Sequence, residues 1–177
     1  TKTGLPINGE PHLEPWLNFL HRMKNATKTV RIGLVGKYVE LPDAYKSINE
    51  SLFQAATYND RKLDLQYIHS EKLNSGNVDA MLSSLDGVLI APGFGQRGIE
   101  GKFIALKYAR EHDIPTFGVC LGMQCMVIEY ARDVLGYTDA NSTEMDVTTK
   151  HNVIDLMEEQ KSITNMGGTM RLGAYDC

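Results

Sequence analysis

The sequence predicts an α/β domain, a three-layer sandwich built around a mostly parallel sheet. Short apolar runs such as Gly87-Val88-Leu89-Ile90 recur along the chain, as strands buried on both faces do. Stretches with helical spacing separate them, giving the order β-α-β-α-β-α-β-α. The chain has 177 residues, 42% of them hydrophobic and 23% charged, enough for one domain with a core of its own.

Residues 1–28 stand apart. Gly4, Pro6, Gly9, Pro11 and Pro15 interrupt the first half, which predicts an extended interdomain linker. Trp16, Leu17, Leu20 and Met23 then line one face of a short helix. The main domain, residues 29–177, opens on the strand Val30-Arg31-Ile32-Gly33-Leu34-Val35. Residues 43–58 follow as a helix, with Ile48, Leu52, Ala55 and Ala56 as its apolar stripe after Pro42-Asp43. A second strand is predicted over 63–68, a short helix over 77–83 and a third strand over 87–90. A helix over 98–111, a strand over 116–119 and a helix over 123–135 complete the alternation. Beyond Gly136 the pattern is less regular, with a strand over 153–157 and a polar loop over 158–168. No internal repeat or low-complexity tract is present.

Bulk properties narrow the function classes. A net charge of -4 gives no general attraction to nucleic acid or to an anionic membrane. No apolar run approaches the roughly 20 residues that span a bilayer, and no signal-peptide pattern opens the chain. The three cysteines, Cys120, Cys125 and Cys177, are odd in number and lack a paired short spacing. That argues against a disulfide framework or a metal site and leads us to expect a reducing, cytoplasmic setting.

One of these cysteines carries the chemistry. In Gly118-Val119-Cys120-Leu121-Gly122-Met123-Gln124 it sits where a predicted strand passes into a predicted helix, with glycine two before and two after. That is the pattern of a nucleophile elbow, where the glycines leave room for the turn and for a substrate. A free cysteine is more often a small buried hydrophobe, and the glycine bracket is what favours the nucleophile here. Cys125 lies inside the following helix without such a bracket and reads as structural, and Cys177 carries no readable signal. A nucleophile attacking an acyl group needs donors for the developing oxyanion. The backbone N–H of Leu121 is one candidate. The loop Ala91-Pro92-Gly93-Phe94-Gly95-Gln96-Arg97-Gly98 is the candidate source of a second, although glycine content alone also fits a plain connection.

The elbow resembles the nucleophile motif of the class I (triad-type) glutamine amidotransferases. Four further stretches make the chain similar to the amidotransferase domain of the CTP synthase family. They are Gly36-Lys37-Tyr38-Val39-Glu40-Leu41-Pro42-Asp43-Ala44-Tyr45-Lys46-Ser47; Pro92-Gly93-Phe94-Gly95 through Arg97-Gly98; Asn141-Ser142-Thr143-Glu144; and Gly167-Gly168-Thr169-Met170-Arg171-Leu172-Gly173. The resemblance implies a flavodoxin-like sheet and a glutaminase. Cys120 would form a glutamyl thioester and release ammonia, with Gly93 and Leu121 donating to the oxyanion. Gly122, Met123 and Gln124 would line the glutamine site together with Gly93 and Leu121. Glu144 would bind the substrate's α-ammonium, a role that suits a carboxylate facing a cation. Tyr38, Phe94, Arg97 and the loop before Gly167 would serve the response to GTP or the passage of ammonia. The resemblance also implies a larger homotetrameric enzyme whose synthase domain aminates UTP to CTP with ATP and Mg2+, GTP being an allosteric activator. The amidotransferase domain itself would hold no cofactor and no metal.

A cysteine nucleophile needs a base and a group that orients the base. The family's His-x-Glu pattern follows none of the five histidines, His12, His21, His69, His112 and His151. His151 lies in a polar segment and reads as a surface residue. The expectation is therefore an amidotransferase domain incomplete at its C-terminus, lacking also the arginine-rich stretch after Gly173, and inactive as it stands. Two other readings compete: a non-catalytic binding module of the same fold, and a related cysteine hydrolase or chaperone. The last commonly places His directly after the cysteine, where this chain has Leu121.

Overall fold

A computed structural model describes residues 11–41 and 43–156, with Gly4 and Gly9. Its centre is a four-stranded sheet of β1 (Lys28–Gly36), β2 (Arg61–His69), β3 (Gly87–Ile90) and β4 (Thr116–Gly118). The order is β2-β1-β3-β4 and every pairing is parallel. This is the start of the flavodoxin-like order, in which ligands bind beyond the carboxyl ends of the strands where the order reverses. The predicted α/β class and mostly parallel sheet are therefore observed.

Residue alternation along the strands assigns the two faces. Leu34 and Leu89 point to one face, where they meet Tyr45, Ala91 and the half-buried Ile48 and Leu52 of α2 (Lys46–Tyr58). Val35, Val88 and Ile90 point to the other. There α3 (Val78–Leu82), α4 (Ile99–Glu111) and α5 (Leu121–Asp133) cover them with Leu82, Phe103, Leu106, Cys125 and Ile128. Helices thus flank the sheet on both sides. A bidentate ion pair ties α4 to α5: Arg110 Nη2 donates to Glu129 Oε1 at 2.7 Å and Nε donates to the same oxygen at 3.1 Å.

The N-terminal helix, α1 (Glu14–Asn25), forms as its apolar spacing predicts. Its ring face is built by Trp16 stacked on Phe19 at 5.4 Å, and Phe19 meets Phe53 of α2 edge-on at 6.3 Å. Phe19 is a contact the predicted stripe left out. Trp16 and Leu17 remain exposed.

Several boundaries move. The last helix starts two residues before the predicted Met123, directly behind Cys120, and β4 ends at Gly118. Val119 still donates to the carbonyl of Ile90 at 3.1 Å, but the chain has begun to turn. The predicted strand over 153–157 is β6 (Asn152–Ile154), parallel to β5 (Asn141–Ser142), which lies in the less regular stretch beyond Gly136. The predicted loop over 158–168, the Gly167-to-Gly173 stretch and Cys177 lie outside the described residues.

Candidate active site

Cys120 occupies the turn between β4 and α5 with φ 52° and ψ -113°. A non-glycine residue with positive φ is held only when its surroundings dictate it, and such strain gathers at functional sites. The surroundings here are the two bracketing glycines. A Cβ on Gly118 would lie 2.6 Å from the Gly122 carbonyl carbon and 2.6 Å from the Met123 nitrogen. A Cβ on Gly122 would lie 2.1 Å from the Ile90 oxygen. The glycines let α5 start against the sheet, and that contact pushes Cys120 outward, where it is exposed. The helix dipole and the Leu121 N–H, which has no partner inside the helix, favour negative charge developing beside this turn.

Cys125 contrasts with it at every point. It is fully buried in the core, and burial pushes its thiol up to about 11. The expectation of a structural cysteine fits that environment.

The loop after β3 reaches the same place. A Cβ on Gly93 would lie 3.7 Å from Leu121 Cδ2 and 3.5 Å from Lys37 Cε. The two expected oxyanion residues therefore adjoin each other across the mouth of the sheet. As first residue of α5, Leu121 has an N–H with no partner inside the helix. Gln124, one turn into α5, is half-buried, and its Oε1 is buried without a hydrogen-bond partner among the described residues. A buried acceptor left open in this way suits a ligand donor. Met123 is exposed beside it, while Leu121 and Gly122 are buried.

Glu144 comes from the turn after β5. Its backbone N–H donates to Ser142 Oγ at 3.2 Å, and its side chain is exposed. Gln96 ties that turn to the loop after β3, its Nε2 donating to the Met145 carbonyl at 2.5 Å. A cavity of about 440 Å³ lies alongside and includes Gln96, Glu100, Arg132, Asn141 and Met145. It adjoins the Glu144 turn, and Cys120 is not among its lining residues.

Tyr38, Phe94 and Arg97 gather at the rim. The Arg97 guanidinium stands 5.4 Å above the Tyr38 ring and pairs with Glu71 at 2.9 Å. Phe94 is largely exposed beside them, and the Lys37 ammonium donates to its carbonyl. Tyr45 fixes this corner. Its hydroxyl fills the space a Cβ on Gly36 would need and accepts the Tyr38 N–H at 3.2 Å. Burial holds the Tyr45 hydroxyl above its ordinary pKa.

Two features escaped sequence reading: Lys37 and Lys102 are both buried. Nothing in local periodicity separates Lys102 from a solvated helix lysine. His151 is engaged elsewhere, with Nδ1 at 2.5 Å from Asp139 Oδ1 and its ring stacked on Tyr137. Among the described residues no cluster of three or more His, Cys, Asp or Glu is placed to hold a metal ion. Nor is any described helix long and apolar enough to cross a membrane.

Comparison with known proteins agrees with this geometry. The family described as Glutamine amidotransferase class-I matches residues 40–177. A CTP synthase of Bacteroides fragilis is 70% identical over 176 residues, covering 99% of this chain and 33% of the relative. One from Porphyromonas gingivalis is 62% identical over 176 residues, with the same coverage. The chain thus spans about a third of the length of these curated relatives. Among solved structures, the Trypanosoma brucei CTPS glutaminase domain with bound acivicin is 41% identical with a TM-score of 0.68. The match covers 74% of this chain and 51% of that one. The family match takes in the strained elbow cysteine and the parallel strands β2, β3 and β4: the chain belongs to the class-I glutamine amidotransferases.

Proposed function

We propose that Cys120 hydrolyses the side-chain amide of glutamine, and that the ammonia serves ATP-dependent amination of UTP to CTP in a longer cytoplasmic protein. The observation that carries this reading is the exposed Cys120 at positive φ, capping α5 beside Gly93 and Leu121. The Cys120 thiolate attacks the amide carbon, and the carbonyl opens to an oxyanion that accepts from the Gly93 and Leu121 N–H groups. Collapse breaks the C–N bond, the nitrogen takes up a proton and leaves as ammonia, and a glutamyl thioester remains. Water then cleaves the C–S bond, releasing glutamate and restoring the thiol. Gly122, Met123 and Gln124 line the glutamine site, and Glu144 receives the α-ammonium. Tyr38, Phe94 and Arg97 serve the GTP response or the ammonia route.

None of the five histidines is assigned as the base. In this reading the base and its orienter are a His-x-Glu pair of the longer protein. Residues 1–28 are its linker to a synthase domain, residues 29–177 belong to the amidotransferase domain, and the whole assembles as a homotetramer. ATP and Mg2+ belong to the synthase domain, so no step above runs through them. The test compares glutamine hydrolysis by this 177-residue chain with that of a version extended through the His-x-Glu. The extended chain should turn over glutamine at least about 10³-fold faster, the scale of losing a triad base. An inactive but folded extended chain refutes the glutaminase reading. Equal rates refute the incomplete site.

A further inference from the structure

Two lysines lie buried beneath the candidate site, and neither has a carboxylate partner among the described residues. Lys102, from the second turn of α4, is 1% exposed, and its Nζ donates to the Ala91 carbonyl at 2.6 Å. Lys37, just after β1, is 7% exposed and donates to the Phe94 carbonyl. Burying an ammonium without a counter-charge costs stability, and a structure that does so twice within one small region has a reason beyond packing. Here both ammoniums hold carbonyls of the same short loop, on either side of Gly93. The Lys37 Nζ lies 4.0 Å from where a Gly93 Cβ would stand.

We propose that Lys37 and Lys102, neither with a carboxylate partner among the described residues, form a buried two-cation clamp on residues 91–94 that positions the Gly93 N–H for the oxyanion. The inference rests on the glutaminase reading for its catalytic part only. Fixing the 91–92 and 94–95 peptide planes confines the Gly93 amide between them. Burial is the largest influence on Lys102 and lowers its pKa, and Lys37 lowers it further, so the ammonium form relies on the Ala91 carbonyl it donates to. Negative charge developing between Gly93 and Leu121 supplies what the two cations lack. Both lysines are positioning residues, since each acts through the loop.

Two readouts test the clamp, with Lys102→Met and Lys37→Met as variants. Methionine keeps most of the buried stem and removes the donor. The first readout is the backbone 15N order parameter of Gly93 and Phe94 in this chain. It should fall from about 0.85 in the parent to below about 0.6 in either variant, with α4 and α5 unchanged. The second is glutamine hydrolysis by the extended chain, where kcat should drop about 100-fold and KM stay within about twofold, as when an oxyanion donor is lost. Lys37→Arg keeps a donor for the Phe94 carbonyl and should recover at least about tenfold of the kcat. A loop as rigid as in the parent overturns the clamp. So does a variant that loses KM and keeps kcat. If Lys102→Met does not fold, Lys37→Met carries the same expectation. If the extended parent turns over no glutamine, the glutaminase reading fails, while the order parameters still decide the clamp.

Discussion

Gly122→Ala is the substitution that most sharply separates this account from ordinary helix energetics. Gly122 lies in the first turn of α5, where exchanging glycine for alanine normally stabilises by ~1 kcal/mol. Here the added methyl would stand 2.1 Å from the Ile90 oxygen, 2.8 Å from the Ile90 carbonyl carbon and 3.2 Å from its Cβ. These atoms cannot retreat easily. Ile90 is fully buried, its oxygen accepts the Val119 N–H, and the next residue donates back to Val35 at 2.9 Å. An ordinary contact needs more than an ångström of extra separation, so α5 must lift from β3. Overpacking of this kind costs about 1–3 kcal/mol, and losing the Val119 hydrogen bond adds roughly 1. After the propensity gain, a net destabilisation of about 2 kcal/mol is expected, or about 4–8 °C in Tm for a domain of this size. Lifting α5 also moves the Leu121 N–H, and displacement by about 1 Å can cost 10²-fold in rate. Urea and thermal unfolding of the parent and the variant are the assay. A variant as stable as its parent, or more stable, would refute the claim that Gly122 is present for close approach to the sheet.

Two further outcomes follow from named groups. Cys125 keeps its proton in the folded chain until about 11, against an ordinary value of 9.0, because it is buried. The unfolded chain therefore loses that proton first as pH rises. The contribution is fully present below pH ~9 and fades towards ~11, by up to ~3 kcal/mol. Urea unfolding at pH 8 and pH 10 should show Cys125→Ala losing less stability over this interval than the parent, and equal losses would contradict the burial argument. Glu144→Gln should leave stability within ~0.5 kcal/mol, because the side chain is exposed. In the extended chain it should raise KM for glutamine about tenfold or more with kcat nearly unchanged, the cost of one charge-assisted contact. An unchanged KM would remove Glu144 from the site.

The parallel sheet was legible because β3 is apolar on both faces and the helices between strands carry clear stripes. The elbow was legible for a related reason: glycine at 118 and 122 is a local sequence record of close approach between α5 and the sheet. What stayed hidden is long-range. Lys102 occupies an ordinary helix position, and only the tertiary approach of α4 to Ala91 makes it a buried donor. The short β5–β6 pair was missed because Asn141-Ser142 has no apolar alternation and is defined by its partner strand. The helix after Cys120 starts two residues before the predicted 123, because Gly122, weak in helix propensity, is seated against Ile90.

The central claim is that Cys120, and not the other cysteine of the described residues, is a glutamine-directed nucleophile. The direct measurement is labelling of the extended chain with a glutamine-mimicking electrophile, with the modified cysteine mapped by peptide mass spectrometry. Modification is expected at Cys120, with protection by added glutamine and no reaction at the buried Cys125 near neutral pH. Preferential labelling of Cys125, or labelling of Cys120 that glutamine does not slow, would contradict it.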